Sequence, residues 1–167
     1  MTVWSGWWTA GAVAVLGTSL ACGRGGVAPG AVPAIGPDSV VGIVTGNGTA
    51  FEQRVMLRSA GREIALAPTA RDSAAFVRIA GTEVVARGKA GANAFQVQAF
   101  SVRTVDGQPV ADGILVRDGA SVALQTAGGR ITLGSPPLAL AALVGARVWI
   151  AGPLESGPTA FGIIIPR

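Results

Sequence analysis

From residue 38 onward, short apolar runs alternate with Gly, Asn and Asp, a pattern that predicts strands rather than long helices. Strands are expected at 40–45, 54–58, 63–67, 82–87 and 95–102. The last is the clearest. Phe95, Val97 and Ala99 alternate with Gln96 and Gln98, the period of two of a strand with one wet face. Gly46-Asn47-Gly48 is a hairpin-turn signal, because Asn-Gly tolerates positive φ. Between the third and fourth strands, residues 71–80 change to helical spacing. Ala75, Phe76 and Ile79 would share the apolar side, and Asp72 or Ser73 would cap the N-terminus.

The second half repeats the first. Gly81-Thr82-Glu83-Val84-Val85-Ala86-Arg87-Gly88 aligns without gaps on Gly145-Ala146-Arg147-Val148-Trp149-Ile150-Ala151-Gly152. Upstream, Ile64-Ala65-Leu66-Ala67 matches Ile131-Thr132-Leu133-Gly134, and Val41-Gly42-Ile43 matches Asp112-Gly113-Ile114. Downstream, Ala94-Phe95 is aligned with Ala160-Phe161, each opening an apolar strand. Pro136-Pro137 can start a short helix through 139–144. An ancestral duplication is the simplest explanation. It divides the chain into a first β unit, 38–103, and a second, 104–167.

The order β-β-β-α-β-β with a glycine opening the fourth strand resembles the OB-fold, a five-stranded barrel with a helix between strands three and four. It also resembles a group of uncharacterised bacterial envelope domains carrying the same G-x-x-V-x-x-x-G element. The resemblance covers roughly residues 38–167. It implies an all-β, mainly antiparallel fold of two tandem OB-like units, each with a short helix. Units of this size are marginal as independent cores, so the two are expected to pack as one body. A single β-sandwich of the same strands is the alternative.

The N-terminus has a different character. No charge occurs from Val3 to Ala21, and 10–20 reads AGAVAVLGTSL, like the apolar core of a secretory signal. It ends in Ser19-Leu20-Ala21-Cys22, which resembles a bacterial lipobox. That resemblance implies a signal peptide and lipobox over 1–22, cleaved before Cys22, which is lipidated at sulfur and becomes the new N-terminus. The match departs from the pattern in lacking Lys or Arg before the apolar run and in Ser19, where leucine is commonest. The alternative is an uncleaved anchor. Trp4, Trp7 and Trp8 would gather on one side of a helix and favour the membrane–water interface. A buried core helix is the third reading. Residues 23–37, rich in Gly, Ala, Pro and Val, read as an extended spacer.

Composition then narrows the chemistry. The 167 residues include no histidine, no tyrosine and one cysteine, which excludes a Ser-His-Asp triad, a Cys-His dyad and an intramolecular disulfide. The net charge of +4 is spread without adjacent basic residues, unlike the runs of a nucleic-acid domain. Asp106, Asp112 and Asp118 each sit in or beside an Asp-Gly turn, so backbone geometry explains them. Lys89 is the sole lysine and falls in a Gly-Lys-Ala-Gly turn. Phe76, Phe95, Trp149 and Phe161 are expected to face the cores, leaving Phe51 as the exposed ring.

The expectation is therefore a non-enzymatic protein without metal or cofactor, held at the periplasmic face of a bacterial envelope membrane by its N-terminus. Its expected partner is another membrane protein or complex, of respiratory or photosynthetic type for example, and not nucleic acid. Arg54, Arg58, Arg78 and Arg87 form the candidate docking patch. The alternative is a free-standing periplasmic lipoprotein whose barrels bind an oligosaccharide or polyanion.

Overall fold

A computed structural model describes residues 38–47 and 54–167. The expectations for Trp4, Trp7, Trp8, Cys22, the spacer 23–37, Gly48 and Phe51 lie outside the described residues. The fold is mostly antiparallel β, as the alternating pattern requires. Five strands and a helix come first: β1 (Ser39–Asn47), β2 (Arg54–Ser59), β3 (Arg62–Ala67), α1 (Ala70–Arg78), β4 (Glu83–Ala90) and β5 (Phe95–Val105). The same series follows: β6 (Gln108–Asp118), β7 (Ser121–Thr126), β8 (Gly129–Thr132), α2 (Leu138–Ala141), β9 (Arg147–Ala151) and β10 (Ala160–Ile165).

In the first unit β1, β2 and β3 form an antiparallel meander, and β4 pairs with the other side of β1. β5 pairs antiparallel with β4 and meets β3 in parallel at Leu66/Phe95 and Ala67/Gln96, which closes the ring. The second unit repeats β6–β7–β8 and β6–β9–β10. In place of the parallel pair, the Gly134 N–H donates to the Leu154 carbonyl at 2.9 Å. An Asp106-Gly107 turn, with both residues at positive φ, joins β5 to β6.

Register fixes the internal equivalences. Leu57 faces Ile64 in one unit as Leu124 faces Ile131 in the other, in agreement with the sequence alignment. Gly81 donates to the Val44 carbonyl, and Gly145 to that of Leu115, each at 2.8 Å. Downstream the alignment shifts. Phe100 faces Ala86 and Phe161 faces Ile150, so Phe161 corresponds to Phe100, not to Phe95. The position of Phe95 beside the third strand is taken by Leu154, because the second unit reaches it with a loop.

Gly42 and Gly113 show the repeat at atomic detail. A Cβ on Gly42 would lie 2.4 Å from the Arg58 carbonyl oxygen, and one on Gly113 would lie 2.5 Å from that of Gln125. Both contacts are backbone, so neither can be relieved by a rotamer change. Gly42→Ala and Gly113→Ala are each expected to destabilise by about 1–3 kcal/mol, an overpacking cost. The check is a pair of urea titrations, and the two losses should agree within about 1 kcal/mol.

Three further local readings change. Gly46 and Asn47 lie within β1, where Asn47 pairs with Arg54, so the first hairpin is joined by residues 48–53 and not by a tight Gly-Asn-Gly turn. The α1 N-cap is Thr69 rather than Asp72 or Ser73. Its hydroxyl accepts from the Asp72 N–H at 3.2 Å, which satisfies one free N–H of the first turn, and donates to the Asp72 carboxylate at 2.8 Å. Lys89 lies in β4, exposed and opposite Gln96, rather than in a turn.

Two apolar clusters form the interior. The first contains Val44, Leu57, Phe76, Ile79, Val84, Phe100 and Val102, and the second contains Leu115, Leu124, Leu140, Val148 and Ile150. Ala75, Phe76 and Ile79 bury the helical face expected from their spacing. Ile164 of β10 is fully buried in the first cluster, and Val110, Trp149 and Ile165 pack against it. Trp149 therefore faces the neighbouring unit's core and not its own. The outer side of β6, β9 and β10 is the seat on which the first unit rests.

Candidate functional site

β5 has a backbone problem that the fold solves with charge. It pairs with β3 only at residues 95–96 and with β6 only at 104–105, so its edge away from β4 is open between them. There the Val102 N–H donates to Asp112 Oδ2 at 2.8 Å, and the Phe100 carbonyl accepts from an Arg147 guanidinium nitrogen at 2.5 Å. Arg147 grips Asp112 with two nitrogens, at 2.8 and 2.7 Å. The carboxylate and guanidinium thus stand in for a missing strand, one supplying the acceptor and the other the donor. Buried backbone groups require such partners.

The pair is also packed. The Asp112 side chain is 5% exposed and that of Arg147 22%. The Arg147 guanidinium carbon sits 4.4 Å from the centre of the Phe100 ring, which also packs on the Phe76 ring at 4.5 Å between centroids. A cation over an aromatic face gains from the ring quadrupole, most when water is excluded. β6 and β9 of the second unit thereby hold β5 and α1 of the first. Asp112 is not a turn residue, contrary to the reading of Asp112-Gly113: it lies mid-strand, opposite Trp149. Asp106 does head a turn, and Asp118 flanks one.

The candidate docking residues are all exposed but not gathered into one patch. Arg54, Arg58 and Arg87 face β1 at Asn47, Ile43 and Ser39. Steps of four residues place them at intervals of about 13 Å along the strand direction, so they form a diagonal stripe. Arg58 lies opposite Glu63 on β3. Arg78 stands apart in the last turn of α1, where it donates to the Ala74 carbonyl at 3.1 Å.

Two open grooves lie near the stripe. One of ≈ 450 Å³ is bounded by Ile43, Arg58, Gly81, Glu83, Thr104 and Asp106. Glu83 within it is 3.7 Å from Arg103 and accepts from the Thr104 hydroxyl. The other, ≈ 670 Å³, is bounded by Arg54, Val55, Leu66, Pro68, Ser73 and Asn93. Among the described residues, no three His, Cys, Asp or Glu side chains gather as a metal site, and no helix is long and apolar enough to cross a membrane.

In the sequence Asp112 reads as a turn residue, and neither Arg147 nor Phe100 stands out as a site residue. A signal existed: the repeat aligns Asp112 with Val41 and Arg147 with Glu83, so both charges sit at strand positions where the other copy carries different chemistry. No protein-family model matches this chain, and no curated protein or solved structure matches it.

Proposed function

We propose that this chain is a non-enzymatic, membrane-anchored extrinsic protein of the bacterial envelope, a structural subunit that braces a larger membrane complex through protein contacts. In this reading each unit is an OB-like barrel. Residues 1–22 provide a signal peptide with Cys22 as the lipidated residue, or an anchor framed by Trp4, Trp7 and Trp8. Residues 23–37 hold the β body off the bilayer on its periplasmic face. The observation that carries the proposal is the Asp112–Arg147 pair, the most buried ion pair among the described residues, which is committed to joining the two units. A stiff body presenting an exposed arginine stripe suits docking to an acidic protein surface.

The test is native-state mass measurement of the full chain extracted from its own membranes in mild nonionic detergent. The wild-type chain is expected in an assembly far larger than the monomer. An Arg54→Glu/Arg58→Glu/Arg87→Glu variant with an unchanged circular dichroism spectrum is expected to be released from it. A wild-type chain running alone would overturn the bracing role.

A second reading has its own support. The ≈ 670 Å³ groove lies where β2, β3 and the β4–β5 connection meet. OB-folds bind oligonucleotides and oligosaccharides on this face, between the loops that follow strands one and four. Salt-sensitive binding of a polyanion or glycan by the monomer would favour a free-standing periplasmic lipoprotein.

A further inference from the structure

The internal repeat leaves one surface used in the first unit and bare in the second. Phe161 and Ile163 of β10 occupy the ladder positions of Phe100 and Val102 of β5. In β5 the outward carbonyl of Phe100 and the outward N–H of Val102 are held by Arg147 and Asp112. In β10 the matching groups have no partner among the described residues, since β10 pairs with β9 alone. Ile163 is 37% exposed there, whereas Val102 is 4% exposed.

Over residues 161–163 this edge lacks most of the usual protection. Exposed strand edges are blunted by charge, proline, shortness, a bulge or a cover. β8, the other edge of the second unit, is four residues long and carries Arg130. The β5 edge is covered by the ion pair. β10 reads Ala-Phe-Gly-Ile-Ile-Ile, six residues with neither charge nor proline. Its one irregularity is a register shift after Ile163, beyond the open segment.

We propose that β10 is a self-association edge, on which a second copy of this chain pairs its own β10 antiparallel about Gly162. The occupant follows from symmetry and composition. In an antiparallel pair centred on Gly162, Phe161 of one copy faces Ile163 of the other, and each pair exchanges two backbone hydrogen bonds. An uncharged strand meets its own copy without like-charge repulsion. A two-fold contact of this kind is closed, so it stops at two copies and builds no fibre. The proposal goes beyond the bracing role and stands without it.

The test uses the purified full chain in nonionic detergent, followed by light scattering and hydrogen exchange from dilute solution up to roughly 100 μM, where weak interfaces become populated. The expected result is a reversible monomer–dimer equilibrium in which the Ile163 amide becomes protected as concentration rises. Ile163→Pro removes only an outward donor, because the N–H of Ile163 points away from β9. It is expected to be monomeric with unchanged melting, and Ile163→Lys should behave alike should proline disturb folding. A chain that stays monomeric throughout, or a dimer that survives both substitutions, would overturn the proposal. So would a dimer in which the Ile163 amide stays as exposed as in dilute solution.

Discussion

Asp112→Ala is expected to lower the stability of the fold by about 3 kcal/mol or more, since removing one partner of a buried ion pair leaves the other uncompensated. Three losses coincide. Arg147 keeps its charge beside Phe100 with no carboxylate, the Val102 N–H has no acceptor, and the seat between the units loosens. For a chain of this size the melting temperature should fall by about 10 °C. Arg147→Met should cost a similar amount. The double variant Asp112→Val/Arg147→Met should cost clearly less than the sum of Asp112→Val and Arg147→Met, because no charge is left stranded. Valine is the natural choice, as Val41 occupies the equivalent place in the first unit. Additive losses would show that the two side chains act separately.

Phe76→Ala is expected to be at least as damaging, at about 3–5 kcal/mol, because a fully buried aromatic leaves a large cavity. Phe76 is 0% exposed and packs on the Phe100 ring that Arg147 covers from another side. It shares the first cluster with Ile164 of β10, so the cavity opens onto the contact between units. The loss should therefore reach both units. Chemical denaturation of a chain in which Trp4, Trp7 and Trp8 are replaced by Phe, followed separately by Trp149 fluorescence and by far-ultraviolet circular dichroism, tests this. The two probes should report the same lowered midpoint, since Trp149 packs against the cluster that Phe76 occupies.

Much of the architecture was legible because it depends on local pattern. Alternation in Phe95–Gln98 and the spacing of Ala75, Phe76 and Ile79 located a strand and a helix face. The gapless match of 81–88 with 145–152 located the repeat, which the register of β4 and β9 reproduces. What escaped was set by contacts distant in sequence. Phe161 looked like Phe95 because each follows alanine and opens an apolar run, yet strand pairing matches it to Phe100, which also follows alanine. Asp112 looked like a turn residue because glycine follows it. Gly113 is there for another reason: Gln125 of β7 leaves no room for a side chain. The arginine stripe shows the same limit. Even spacing along β2 gave Arg54 and Arg58 a common face, but only the pairing with β1 shows how far apart the charges stand.

Native-state hydrogen exchange on the full chain distinguishes two units joined as one body through the Asp112–Arg147 seat from two units that open separately. Val102 is the amide to follow, because its proton is donated to Asp112 and to no strand. Val102 is expected to exchange with the slowest class, together with Val44 of the first core and Leu124 of the second, through one shared opening. Asp112→Ala should move Val102 into a fast class while Ser101, paired with Val85 of β4, stays slower. Fast exchange of Val102 in the unaltered chain, or separate opening free energies for Val44 and Leu124, would contradict the single body.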